Sequence, residues 1–206
     1  EGKQSTIIRV TNPWQSADEV EMMLFIARGG EKAPNGFRGQ VLQGDAQRVV
    51  CMSSSHIAML DAIGAVESVV GVSGKNFITN PYVVVHQRTI ADVGYDGNMN
   101  FELLVAHQPD IVLLYGVTGA CTMESKLDEL GIPYIYVGEY VEEDPLGKAE
   151  WLIALAEIVG QRQQGLTYFS ELPQRYEQLK SIAASTHTPA PKVMINTPYA
   201  DSWFMA

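Results

Sequence analysis

Cysteine is scarce in this chain. Its 206 residues hold only Cys51 and Cys121, too few for a disulfide framework. Cys51 lies in an apolar run and Cys121 in a glycine-rich loop, so neither argues for a bridge. Basic charge is also short: 14 Lys and Arg face 24 Asp and Glu, giving a net charge of −10 and a pI near 4.8. A phosphate-backbone partner demands a basic stripe, and none occurs, which excludes a nucleic-acid binder. An acidic surface is first of all a solubility property. No apolar run approaches the roughly 20 residues of a membrane span. No charged, apolar and small-residue leader opens the chain, so an export signal is expected to have been removed from it.

Catalytic signatures are missing too. There is no G-x-S-x-G elbow and no G-x-x-x-x-G-K-S/T loop, and Gly116-x-x-Gly119 is too incomplete for a dinucleotide fingerprint. His56, His86, His107 and His187 are scattered and form no H-x-x-x-H pair. Zinc or manganese capture would require three converging ligands, and this spacing speaks against it. A metal chelatase or reductase-like enzyme would need a titratable cluster, which these residues do not assemble.

What is present is an ordinary globular balance, 46% hydrophobic and 18% charged. A chain of this length can bury about two thirds to three quarters of its unfolded surface. Residues 1–45 read as an N-terminal extension. Residues 20–26 alternate apolar positions as a strand does, Pro34-Asn35-Gly36 supplies a turn, and 37–42 return, so a hairpin is expected. From residue 46 to 144 the pattern becomes strand then helix, repeatedly. Strands are expected over 48–52, 69–72, 111–114 and 134–137. Helices are expected to start at the Ser53–Ser55 hydroxyls and end at Gly64, to start at Asn100 and end at His107, and to span 123–130 before Gly131. Strands separated by helices of about ten residues mean an α/β lobe with a parallel sheet between helices. Residues 145–187 form a helical block opened by the Asp144 cap and Pro145, with Pro173 expected to kink or split its second part. This block reads as a long interlobe helix. Residues 188–206 then begin a new strand over 192–195, the first strand of a second lobe.

In an open parallel sheet, ligands collect at the loops leaving the carboxyl ends of the strands. Those loops carry Phe77, Tyr82, Tyr95, Tyr115 and Tyr140, and the terminal stretch adds Tyr199 and Trp203. Such an aromatic rim suits a bulky, partly apolar ligand with a few polar groups. Ser54, Ser55 and His56 open a helix at a strand end and are candidate ligand contacts. Lys75 and Arg88 flank the second loop and could meet an anionic ligand. The competing assignments are core filling for the rings, capping for His107 and solvated surface for the basic groups. The acidic run Glu142-Glu143-Asp144 is explained by capping alone. Glu102 stands in the first turn of its helix, where the dipole favours a carboxylate, and at the tip of the lobe it could also reach a basic partner.

Taken together, RVVCMSSSHIAMLDAIGAVESVVGVS, DVGYDGNMNFELLVAHQPDIVLLYG, LDELGIPYIYV and KVMINTPYADSWFMA resemble the substrate-binding proteins of ABC importers for iron-siderophore, haem and cobalamin. The resemblance covers about residues 48 to 206, and its D-V-G turn, N-x-E helix start and P-D-hydrophobic strand are its most specific part. It implies two α/β lobes joined by a long rigid helix, with the ligand held between them without chemical change and no cofactor. It places Glu102 on the lobe-tip glutamate that docks on permease arginines, and Tyr95 and Tyr115 on ligand-stacking positions. It implies a monomer acting outside the cytoplasmic membrane, periplasmic or membrane-anchored as a lipoprotein. A ferric siderophore is the first expected ligand, because Lys75 and Arg88 would put positive charge beside the rings. Cobalamin and haem are the alternatives, and haem would make His56 or a tyrosine an axial ligand. By the same resemblance, the second lobe with its own docking glutamate is expected to be represented here only by its opening strand.

Overall fold

A computed structural model describes residues 4–186 and 191–193. The chain divides into two compact units, Glu1–Pro173 and Gln174–Ala206. Among the described residues, all strands belong to the first.

Three strands open the chain: β1 (Thr6–Thr11), β2 (Glu21–Ala27) and β3 (Gln40–Gln43). They form a sheet in the order β1-β2-β3, antiparallel between β1 and β2 and parallel between β2 and β3. This corrects the expected hairpin. The two segments flanking Pro34-Asn35-Gly36 do pair, but in the same direction, and the hairpin partner of β2 is the β1 strand that precedes it. Residues 28–39 form a crossover rather than a tight turn, held against the sheet by Phe37 on Phe25 with ring centroids 5.9 Å apart. β1 was hidden because its apolar residues, Ile7, Ile8 and Val10, do not alternate with polar ones, and only Val10 is fully buried.

The main sheet is built from β4 (Val49–Cys51), β5 (Val69–Val72), β6 (Ala91–Asp92), β9 (Ile111–Leu114) and β10 (Tyr134–Tyr136). Its order is β10-β9-β4-β5-β6, with every pairing parallel. Between β6 and β9 a small antiparallel pair, β7 (Gly94–Tyr95) and β8 (Asn98–Met99), forms its own ribbon. Neither β6 nor this ribbon is long enough to show an alternation, so the sequence pattern marks 92–98 as irregular.

Both faces of the main sheet are covered, as the apolar strands require. Val49, Cys51, Ile111, Leu113, Ile135 and Val137 point into one core; Val50, Val112, Leu114, Tyr134 and Tyr136 point into the other. The first core is closed by α1 (Ser54–Ala62) and α5 (Pro145–Ile158), and also by Val10, Leu24, Ile26 and Leu42 of the N-terminal sheet. That sheet therefore shares a core with the lobe. The second core is closed by α3 (Phe101–Ala106) and α4 (Glu124–Leu130) through Leu104 and Leu127. The short α2 (Pro81–Val85) lies between β5 and β6 and adds Val83 to the first core.

The expected caps are in place. Ser53, Asn100 and Asp144 accept from the backbone amides of α1, α3 and α5. Gly131 ends α4 in the left-handed region at φ 64°, where a Cβ would be strained. The final helix, α6 (Arg162–Ser185), passes Pro173 as one helix of 24 residues, so the expected split does not occur. A single proline removes one hydrogen bond, and its neighbours Glu171, Leu172, Gln174 and Arg175 are good helix formers. Of the strand expected over 192–195, Met194 and Ile195 lie outside the described residues, and Lys192 and Val193 carry no regular structure. Among the described residues, no helix is long and apolar enough to cross a membrane.

Candidate functional site

From β4 the chain steps outward to β5 and β6, then returns to the other side of β4 for β9 and β10. The direction of winding reverses between β4 and β9. In such sheets ligands bind at this reversal, in the crevice outside the carboxyl ends of the strands.

On one side of the crevice stands the start of α1. Ser54 is exposed. The Ser55 hydroxyl lies 2.7 Å from that of Ser53 and also donates to the Glu139 carboxylate, which reaches over from the end of β10. Ser55 is thus engaged within the protein rather than free to meet a ligand, which corrects its expected role. His56 is corrected more sharply: it is 0% exposed, on the buried side of α1. Neither ring nitrogen has a hydrogen-bond partner, and burial pushes the imidazole down to about 3, with only the nearby Leu113 backbone opposing. It can neither touch a cleft ligand nor serve as an axial ligand in this arrangement. Glu139 was not anticipated; its second carboxylate oxygen is buried and unpaired.

The loops after β5 and β6 are clamped by Asp92. Its carboxylate accepts from the amides of Gly74 at 3.1 Å, Lys75 at 3.0 Å and Gly94 at 3.2 Å. The Lys75 ammonium donates to the carbonyls of Gln87 and Ile90, each at 2.6 Å. Lys75 is therefore a loop staple, not the expected anion contact. Tyr82 is half-buried against the core and stacked on His86 with centroids 4.0 Å apart, a packing ring rather than a rim ring. Phe77 is 88% exposed and Tyr95 60% exposed, and both remain available at the edge. Arg88 is exposed and makes no ion pair among the described residues.

The far side of the crevice is the loop after β9. Tyr115, 37% exposed, begins it. With Asp96 and residues 116–121 it lines a pocket of about 240 Å³. Three anchors hold this loop. Asp96, at the tip of the β7–β8 ribbon, accepts from the Thr122 amide at 2.9 Å and its hydroxyl at 2.8 Å. The Tyr136 hydroxyl accepts from the Cys121 amide at 2.6 Å and donates to Glu124. Trp14, from the β1–β2 connection, packs edge-on against Tyr136 at 5.2 Å, while the Gln15 amide donates to the Val117 carbonyl at 3.0 Å. Gly116 lets Trp14 approach: a Cβ there would sit 2.9 Å from the indole. Burial pushes the Cys121 thiol up to about 11, with Asp96 and Glu124 adding to the shift, so it is a poor nucleophile.

Glu102 is exposed in the first turn of α3, away from these contacts. Tyr199 and Trp203 lie outside the described residues. Among the described residues, no three His, Cys, Asp or Glu side chains converge to hold a metal ion.

Residues 49–206 match the sequence pattern of the family described as periplasmic binding protein. The chain belongs to that family. This bears out the resemblance to the substrate-binding proteins of ABC importers. The chain is similar to an uncharacterised lipoprotein of Methanocaldococcus jannaschii, 29% identical over 181 residues, covering 84% of this chain and 42% of the relative. It shares its fold with a periplasmic haem-binding protein from Pseudomonas aeruginosa: 23% identity, TM-score 0.55, 68% of this chain and 48% of that one. It also shares it with a structure of an ABC-type Fe3+-hydroxamate transport system from Saccharomonospora viridis: 18% identity, TM-score 0.55, 84% and 56%. The chain spans less than half the length of the curated relatives it matches.

The carboxyl edge of this periplasmic binding protein thus keeps Ser54, Phe77, Tyr95 and Tyr115 as available groups, whereas Arg88 lies in the segment that enters β6 at its amino end. The sequence pattern did not single out Trp14, Asp96 and Glu139. Asp96 carried one usable signal, an Asp-Gly pair between short apolar positions, which marks a two-residue ribbon turn. Trp14 and Glu139 carried none, since each acts through a partner far away in sequence.

Proposed function

We propose that this chain forms the ligand-capturing lobe of an ABC importer's extracytoplasmic binding protein, with a ferric siderophore as its cargo. The observation that carries the reading is the set of exposed rings, Phe77, Tyr95 and Tyr115, around the winding reversal between β4 and β9. Stacking on such rings holds a bulky chelate through its faces and leaves the metal's own ligands undisturbed. Glu102 at the lobe tip would present its carboxylate to a basic permease surface, and ATP hydrolysis would occur in another subunit.

Haem is the second reading, supported by the exposed Tyr95 and Tyr115 hydroxyls, since a tyrosinate can serve as an axial ligand to haem iron. Cobalamin, bound by the same stacking, completes the panel. The test is a titration of ferric siderophores, haem and cobalamin followed by tryptophan fluorescence. It should be run on this chain and on a form extended to the length of its relatives. Trp14 abuts the Tyr115 loop and should report occupancy. Saturable binding of a ferric chelate supports the reading; no response from either form to any of the three ends it.

A further inference from the structure

The Tyr115 loop differs from the rest of the carboxyl edge in charge. Its pocket of about 240 Å³ is lined by one ring, one carboxylate and a run of small residues from Gly116 to Cys121, and neither Lys nor Arg contributes to it. Asp96 uses only its Oδ1, which takes both hydrogen bonds from Thr122. Its Oδ2 has no hydrogen-bond partner among the described residues. Glu124 accepts from the same Tyr136 hydroxyl that holds the Cys121 amide, so a second carboxylate lies close to the loop. The concavity is negative, has the Tyr115 side chain in its lining, and is too small for a whole iron chelate.

We propose that this pocket is a subsite for a cationic arm of the ligand, a primary ammonium above all. An ammonium seated there donates to the free Asp96 oxygen and to carbonyls of the loop, and lies beside the Tyr115 ring, whose face attracts cations. The small residues leave room for a linear alkyl arm and none for a second ring system. The subsite rests on the reading that the cleft holds a ferric chelate, and it selects chelates that carry an amine over anionic ones. The expectation of an anionic cargo drew on Lys75 and Arg88, and the Lys75 ammonium is committed to the carbonyls of Gln87 and Ile90.

A matched pair of probes isolates the arm: ferrioxamine B, a ferric trihydroxamate with a free terminal ammonium, and its N-acetyl derivative, which keeps the iron centre and loses the charge. The chain should bind ferrioxamine B roughly fivefold tighter at low salt, as expected for a partly exposed ion pair, with the preference shrinking at high salt. Asp96→Asn should abolish the preference. Its amide oxygen can still accept from Thr122, so the loop anchor survives. Equal binding of the two probes, or a preference that persists in Asp96→Asn, overturns the subsite and leaves the siderophore reading standing. If no ferric chelate binds, that reading has failed, and the subsite is judged separately by n-propylammonium against n-propanol. Saturable, charge-dependent NMR shifts of the Gly116 to Ala120 amides, lost in Asp96→Asn, support it. Their absence overturns it.

Discussion

Glu157 accepts from the Arg28 guanidinium at 2.6 Å, although 129 residues separate the two in sequence. The same carboxylate takes the Thr6 hydroxyl at 2.7 Å and Arg162 at 3.0 Å, while Arg28 also reaches Asp45 at 2.6 Å. One cluster therefore fastens β1, the end of β2 and the junction of α5 with α6. Through it the N-terminal sheet, and with it the Trp14 connection that braces the Tyr115 loop, is fixed to the lobe.

Glu157→Gln should destabilise the first unit by about 2 kcal/mol at neutral pH, because the buried carboxylate loses its charge-assisted bonds and the half-buried Arg28 keeps only Asp45 as an ionic partner. Burial alone would raise the Glu157 pKa, but the bonds from Thr6, Arg28 and Arg162 outweigh it and hold the pKa below the ordinary carboxylate value. A depressed carboxylate contributes its stability above the unfolded pKa and loses it as pH falls through the folded one. Urea midpoints of wild type and Glu157→Gln should accordingly converge as the pH drops below about 4. A constant gap between them across that range would show that the charge does not matter.

His56 works in the opposite sense. Its imidazole is neutral in the fold, with a pKa lowered to about 3, while in the unfolded chain it takes a proton near 6.5. The unfolded state thus gains protons first as pH falls. Each pH unit below about 6.5 should cost about 1.4 kcal/mol of stability from this residue. His56→Leu removes the two unpartnered ring nitrogens and the titration together. It should be at least as stable as wild type at pH 7 and lose less between pH 6 and pH 4. Parallel acid limbs for the two proteins in denaturation curves would refute the assignment.

The Tyr115 loop should depend on a contact outside its own sequence. Gly116→Ala would press a methyl group against Trp14 and the Gly119 carbonyl. Overpacking of this kind costs about 1–3 kcal/mol. The backbone at Gly116 needs no left-handed conformation, so relief should come from the opposing side chain. Adding Trp14→Leu to Gly116→Ala should recover part of the loss of melting temperature. If the double variant is no more stable than the sum of the two single changes, the indole is not what Gly116 accommodates.

Much of this fold was legible because its elements announce themselves locally. Val69–Val72 and Ile111–Leu114 are short apolar runs bounded by turn residues, and Asn100, Asp144 and Gly131 mark helix ends by side-chain chemistry alone. The pairing of β2 with β3 was not legible, because a strand pattern is the same whichever direction its neighbour runs. The site was legible only as a place. Rings at strand ends could be located, but whether Tyr82 or Tyr95 faces water is decided by packing from α2 and the β7–β8 ribbon. Lys75 and Ser55 looked available because their captors, the carbonyls of Gln87 and Ile90 and the Glu139 carboxylate, are set by loop geometry. His56 was misplaced by its serine neighbours: a helix start at a strand end has both an outward and an inward side, and residue 56 falls on the inward one.

Glu102 offers the sharpest separation of capture from delivery. It is exposed in the first turn of α3, whose N-cap Asn100 already satisfies the Leu103 amide at 2.9 Å, so the carboxylate is not needed to complete the helix. If it docks on a basic permease surface, Glu102→Ala should leave ligand affinity unchanged. Ligand delivery into vesicles carrying the reconstituted importer should fall severalfold, by about the 1 kcal/mol that one exposed ion pair supplies. The loss should be smaller at high ionic strength, where such a pair is already screened. Equal losses of affinity and delivery would instead move Glu102 into the binding site.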